Sequence, residues 1–155
     1  ITVKLIIAGS GPLEIELKSL AIKLDLDESD VIFLGVIEHD EVASFIKTLD
    51  VFILPCRQDR KGDMDGIPVV LMESMLSGVP VISTRVSGIP ELVVNNETGL
   101  LVEQDNNDDL AEAIGVILND DVLRNRLIEN AASLVRKEFS LDKNTKKLSG
   151  LFQQY

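Results

Sequence analysis

The chain has no tryptophan, one cysteine (Cys56), one histidine (His39) and only 4% aromatic residues in 155 positions. Each shortage excludes something. A lone cysteine cannot form an internal disulfide, and it fits a reducing compartment. One histidine without Cys or His neighbours is a poor zinc ligand set, and His39, next to Asp40 and Glu41, reads as a solvated loop residue before a helix start. With so few rings, the core has to be built from Val, Ile and Leu. No apolar run is long enough to span a bilayer, and no signal-peptide pattern is present.

Positive charge is also short. Fifteen Lys and Arg face 26 Asp and Glu, for a net charge of −11. Acids spread along the chain repel phosphate backbones and anionic lipid, which argues against nucleic acid or a membrane surface as the partner. The 45% apolar and 26% charged content is that of a soluble globular protein. The length suits one domain over residues 1–155. A start at Ile1 without methionine reads as a piece of something larger.

What the chain does have is a series of short apolar, β-branched runs at residues 3–8, 31–34, 51–54, 81–83 and 100–102. Such runs are expected of parallel strands covered on both faces. Helical stripes lie between them: Leu13, Leu17, Leu20, Ala21 and Leu24, then Val42, Phe45, Ile46 and Leu49. The last third is helical, with stripes at Leu110, Ala113, Ile114 and Ile117 and at Leu123, Leu127, Ala131 and Leu134. A third stripe, Leu141, Leu148, Phe152 and Tyr155, has Ser140 as its N-cap. The alternation predicts an open, Rossmann-like α/β sheet flanked by helices, with a helical C-terminal tail.

Two features carry chemistry. Gly9, Ser10, Gly11 and Pro12 join the first strand to a helix, where glycines let a ligand approach the backbone and the helix start offers free amides. Glu14 replaces the third glycine of a dinucleotide fingerprint, and the second strand ends at Gly35 without a ribose-binding acid, so NAD binding is disfavoured. The second feature is residues 64–83 (MDGIPVVLMESMLSGVPVIS). Glu73 is the only charge between Asp65 and Arg85, and a carboxylate in so apolar a run is costly unless hydrogen bonds satisfy it; vicinal sugar hydroxyls would do so. Pro68 fits the first helical turn, which leaves the Gly66 and Ile67 amides at the positive end of the helix. Ser74, Ser77 and Gly78 are small enough for close packing on the sheet. Cys56 reads as a crevice-lining residue rather than a nucleophile. The acids at 59, 63 and 65 do not have EF-hand spacing.

In order, LIIAGSGP at 5–12, VIFLG at 31–35, DVFILP at 50–55, the Asp65–Glu73 spacing, GVPVIST at 78–84, GIPE at 88–91, TGLLV at 98–102 and Phe139-Ser140 resemble one family. It is the C-terminal, nucleotide-sugar-binding domain of GT-B-type retaining family-four glycosyltransferases. The resemblance implies that Glu73 holds the donor ribose and that Asp65, in place of the family's glutamate and one methylene shorter, orients the transferred sugar. It also implies that Gly66, Ile67 and Pro68 face the sugar and phosphate, that Gly35, Val36 and Ile37 lie beside the base, and that Gly9 and Gly11 belong to the donor site. Arg57, Arg60 and Lys61 are candidate phosphate contacts. Glu91 either closes the phosphate loop or begins a helix.

By the same resemblance the substrate is a nucleoside diphosphate sugar, no metal or cofactor is needed, and the setting is cytoplasmic polysaccharide or glycolipid assembly. Contact with a membrane would come through a missing N-terminal acceptor domain. The family's first strand and helix, with their phosphate-clamping Arg and Lys, precede this chain, so alone it should transfer little sugar. The absent strand would sit between residues 3–8 and 51–54; those strands are expected to pair directly, or another chain to fill the gap, self-association included. An epimerase or hydrolase of the same architecture, and a non-catalytic nucleotide-sugar-binding module, are the alternatives.

Overall fold

The computed structural model describes residues 2–58, 66–140, 143–145 and 149. It divides into two compact units, Ile1–Val42 and Ala43–Tyr155.

The first unit contains β1 (Leu5–Ala8), α1 (Glu14–Lys23) and β2 (Val31–Gly35), and α2 (His39–Ile46) begins within it. β1 and β2 are parallel, with Leu5 opposite Val31 and a register shift after Ile7 that sets Ala8 against Gly35. Between α1 and β2, the Asp27 carboxylate accepts from the Ser29 amide at 2.6 Å and from the Ser29 hydroxyl at 2.5 Å, closing the turn. The apolar stripe expected on α1 is not core: no residue of the helix is buried. Ile15 and Ile22 add apolar surface off that stripe and are 80% and 73% exposed, so the helix has no single face to bury. His39 is the first residue of α2 rather than part of the preceding loop.

The second unit contains β3 (Phe52–Leu54), α3 (Val69–Leu76), β4 (Val81–Thr84), α4 (Ile89–Leu92), β5 (Leu100–Val102), α5 (Asn107–Asn119) and α6 (Asp121–Glu138). Its sheet is parallel throughout, ordered β3-β4-β5. Side chains alternate between its faces, as the period of a strand requires. Val81 and Leu101 join Leu71 and Met75 of α3, Ile89 and Leu92 of α4 and Val135 of α6 in one cluster. Ile82, Leu100 and Val102 join Ala113 and Ile117 of α5 and Leu127 of α6 in the other. Every residue of β4 is buried, which is why its run reads as continuous apolar sequence.

Local chemistry sets the joints. Asp120 ends α5 and caps α6, its carboxylate accepting from the Leu123 amide at 2.8 Å; Asn106 caps α5 in the same way at 3.1 Å. After α3, Gly78 takes φ +77. The Val79 amide donates to Ser74 O and the Gly78 amide to Met75 O, at 3.1 and 3.3 Å, the crossed pair of a Schellman stop. Gly78 therefore ends the helix, while Ser74, fully buried with its hydroxyl on Val70 O at 2.9 Å, does the close packing.

The ladders among described residues are β1-β2, β3-β4 and β4-β5. β1 and β3 each have one partner strand among the described residues. In the tail, residues 143–145 are helical and the Asn144 amide donates to Ser140 O at 3.0 Å; Leu141, Leu148, Phe152 and Tyr155 lie outside the described residues.

Candidate functional site

In an open parallel sheet, ligands bind beyond the carboxyl ends of the strands. Both units have a pocket there.

In the first unit, the Gly9 amide donates to Gly35 O at 2.6 Å, so the two glycine turns that follow β1 and β2 are tied together. Both glycines have positive φ, +121 and +76, a region that side chains with a Cβ seldom enter. Ile7, Gly9, Gly11, Leu13, Leu17 and Phe33 are among the residues lining a mainly apolar pocket of about 290 Å³. Lys18 lies over the Phe33 ring, 5.6 Å from its centroid. Gly9 and Gly11 line this pocket; Gly35, Val36 and Ile37 do not.

In the second unit, the turns after β3 and β4 and the start of α3 enclose a pocket of about 120 Å³ lined by Cys56, Arg57, Gly66, Pro68, Val86, Ser87 and Ile89. Two hydroxyls hold the strand ends: Ser83 donates to Leu54 O at 2.7 Å and Thr84 to Cys56 O at 2.6 Å. Gly88 comes so close to Ile67 that a Cβ on it would stand 3.0 Å from that side chain. Pro68 is extended, with φ −62 and ψ 125, and stands at the N-cap rather than in the first turn. Its carbonyl accepts from the Leu71 amide at 3.1 Å. Arg57 is turned toward Asp105, Nε to Oδ1 at 2.9 Å, and the Gln58 amide donates to Gln104 at 3.3 Å.

The structure thus brings Arg57, Gly66 and Pro68 to one pocket and sets the Ile67 side chain against Gly88. Glu73, on α3, is partly buried. Among the described residues its carboxylate has no hydrogen-bond or ion-pair partner, and it is not in the described pocket lining. Asp65, Arg60 and Lys61 lie outside the described residues. Glu91 is in the first turn of α4 and exposed. Ser87, on the pocket wall, carries no sequence signal, since nothing in a Val-Ser-Gly run marks it. Among the described residues no cluster of His, Cys, Asp and Glu could hold a metal ion, and no helix is long and apolar enough to cross a membrane.

Comparison with known proteins gives a consistent result. The amylovoran biosynthesis glycosyltransferase of Erwinia amylovora is 39% identical over 112 residues, 72% of this chain and 26% of that protein. The GDP-mannose-dependent α-(1-6)-phosphatidylinositol monomannoside mannosyltransferase of Mycobacterium tuberculosis is 37% identical over 117 residues, 75% of this chain and 30% of that one. The chain therefore spans about a third or less of these relatives. Among solved structures, HepE of Anabaena in complex with UDP-glucose superposes with a TM-score of 0.83 at 20% identity, over 98% of this chain and 41% of that one. At that identity the likeness shows the fold, the C-terminal half of a GT-B glycosyltransferase. The family model for glycosyl transferases group 1 matches residues 1–134, and the chain belongs to that family.

Proposed function

We propose that this chain is a single donor-binding domain of a retaining glycosyltransferase, which takes a nucleoside diphosphate sugar and passes its sugar to an acceptor held by another domain. One observation carries the reading. In a chain of net charge −11, the pocket at the start of α3 has one arginine, one hydroxyl and no carboxylate among its described lining residues. Hydrogen-bond donors converging beyond strand ends suit an anion, and a departing diphosphate needs such stabilisation.

In this reading Arg57 and the amides at Gly66 and Ile67 face the phosphates, with Arg60 and Lys61 as further candidates. Glu73, partly buried without a partner among the described residues, accepts from the ribose hydroxyls. Asp65 orients the sugar. Gly35, Val36 and Ile37 lie beside the base, and Gly9 and Gly11 border the donor. No metal enters the scheme. The domain acts in the cytoplasm, in polysaccharide or glycolipid assembly, a reading that the amylovoran biosynthesis and phosphatidylinositol monomannoside transferases above support. Self-association through the open edges of β1 and β3 is an outcome that absence of the acceptor domain would favour.

A thermal-shift panel of nucleoside diphosphate sugars against the full-length polypeptide tests this. One of them should raise the melting temperature, since a ligand at a hundred times its Kd adds about 2.7 kcal/mol of stability. Glu73→Ala should weaken that ligand at least tenfold. If no nucleoside diphosphate sugar stabilises the protein, the reading is wrong.

A further inference from the structure

Four described residues other than glycine have left-handed φ: Asp25, Ser87, Asn96 and Asp105. Asp and Asn tolerate that region because their short polar side chains bond locally to the backbone. Ser87, at φ +51, is the one that is neither. A strained residue persists where its surroundings fix it, and such residues gather at ligand sites.

The surroundings of Ser87 do fix it. Val86 before it is buried, and Ile89 after the neighbouring glycine is 1% exposed. The Val86 amide donates to Thr84 O at 2.9 Å and the Ile89 amide to Val86 O at 3.1 Å. Both anchors hold the turn on the core while Ser87 itself is exposed on the pocket wall, together with Arg57 and Gly66. The Ser87 hydroxyl has no hydrogen-bond partner among the described residues. A free hydroxyl on a rigid turn is pre-organised for a ligand at no further ordering cost.

We infer that Ser87 is a donor-binding residue whose hydroxyl gives a hydrogen bond to a phosphoryl oxygen of the nucleoside diphosphate sugar. The inference rests on the donor-site reading above and adds to it a contact on the β4–α4 turn. Glycine at this position would relieve the left-handed strain but supply no donor.

The test uses the full-length polypeptide and its Ser87→Gly and Ser87→Ala variants, with UDP, GDP and ADP and their nucleosides as probes in calorimetry. The nucleoside diphosphate that binds the wild type should bind both variants about tenfold more weakly, as loss of a hydrogen bond to a charged group requires. Affinity for the matching nucleoside should hold within twofold, and the Ser87→Gly melting temperature should equal or exceed the wild type's. A purely structural role would not separate diphosphate from nucleoside. Diphosphate affinities within twofold of wild type in both variants, or equal losses for nucleoside and diphosphate, overturn the inference while leaving the donor reading intact. A wild type that binds no nucleoside diphosphate overturns the donor reading itself.

Discussion

The guanidinium of Arg57, on the pocket wall, is held by Asp105 from the turn after β5, Nε to Oδ1 at 2.9 Å. Both side chains are more than half exposed, so the pair adds at most about 1 kcal/mol to stability. Its consequence is orientation, because one edge of the guanidinium is engaged and the terminal nitrogens remain for a ligand. Arg57→Ala should weaken nucleoside diphosphate binding by about tenfold and lower its salt dependence. Asp105→Ala should cost about two- to threefold, with melting temperatures nearly unchanged in both. Calorimetry at two salt concentrations would check it; a larger loss for Asp105→Ala than for Arg57→Ala would contradict the order of roles.

Glu73 should be separable from folding. Since its carboxylate has no partner among the described residues, Glu73→Gln should change stability by no more than about 0.5 kcal/mol. The same change should weaken the ribose-bearing ligand but not inorganic pyrophosphate. Urea unfolding alongside ligand titration distinguishes the two effects.

The turn between α4 and β5 is where substitutions should hurt folding alone. The buried Thr98 hydroxyl donates to Leu92 O and accepts from the Val94 amide, both at 2.8 Å. Thr98→Val leaves both groups unpaired, a loss of about 2–3 kcal/mol. A Cβ on Gly99 would stand 2.7 Å from Val93 and 2.9 Å from the Val81 carbonyl. Backbone in β4 cannot give way, so Gly99→Ala should cost about 1–3 kcal/mol. Chemical denaturation would measure each, with ligand affinity per folded molecule unchanged.

Acid should weaken the turn before β2. The Ser29 hydroxyl, then the Ser29 amide, hold the Asp27 carboxyl below the ordinary aspartate value. Because the folded value is the lower one, the contribution is complete above the unfolded value and disappears as pH falls through the folded one. Ser29→Ala should move the Asp27 carboxyl back toward its ordinary value, read by carboxyl carbon NMR titration. An unmoved titration would show that the hydroxyl is not the cause.

The strands were legible because runs such as VFIL and VPVIS can hardly be anything but covered parallel strands. The observed elements begin and end within two residues of those runs. The helical stripes of α5 and α6 were equally readable, since Ala113, Ile117, Leu127 and Ala131 do face the sheet. On α1 the same reasoning failed, because periodicity says which residues share a face and nothing about whether a partner covers it. Pro68 was misplaced by one residue, a distinction of ψ that composition does not carry. Thr98 and Ser87 were invisible for another reason: their roles depend on a carbonyl six residues away or on a φ angle, and no pattern of residue types encodes either.

The uneven distribution of buried side chains has one more consequence. Among the described residues of the first unit only Val31 is a buried hydrophobic residue, whereas the second holds the two clusters around its sheet. Amide exchange should therefore be fast along α1 and slow along β4, with the glycine turn opening many times for each global unfolding event. A protease added to the native protein would find its first cut there, and the α3 pocket would outlast it.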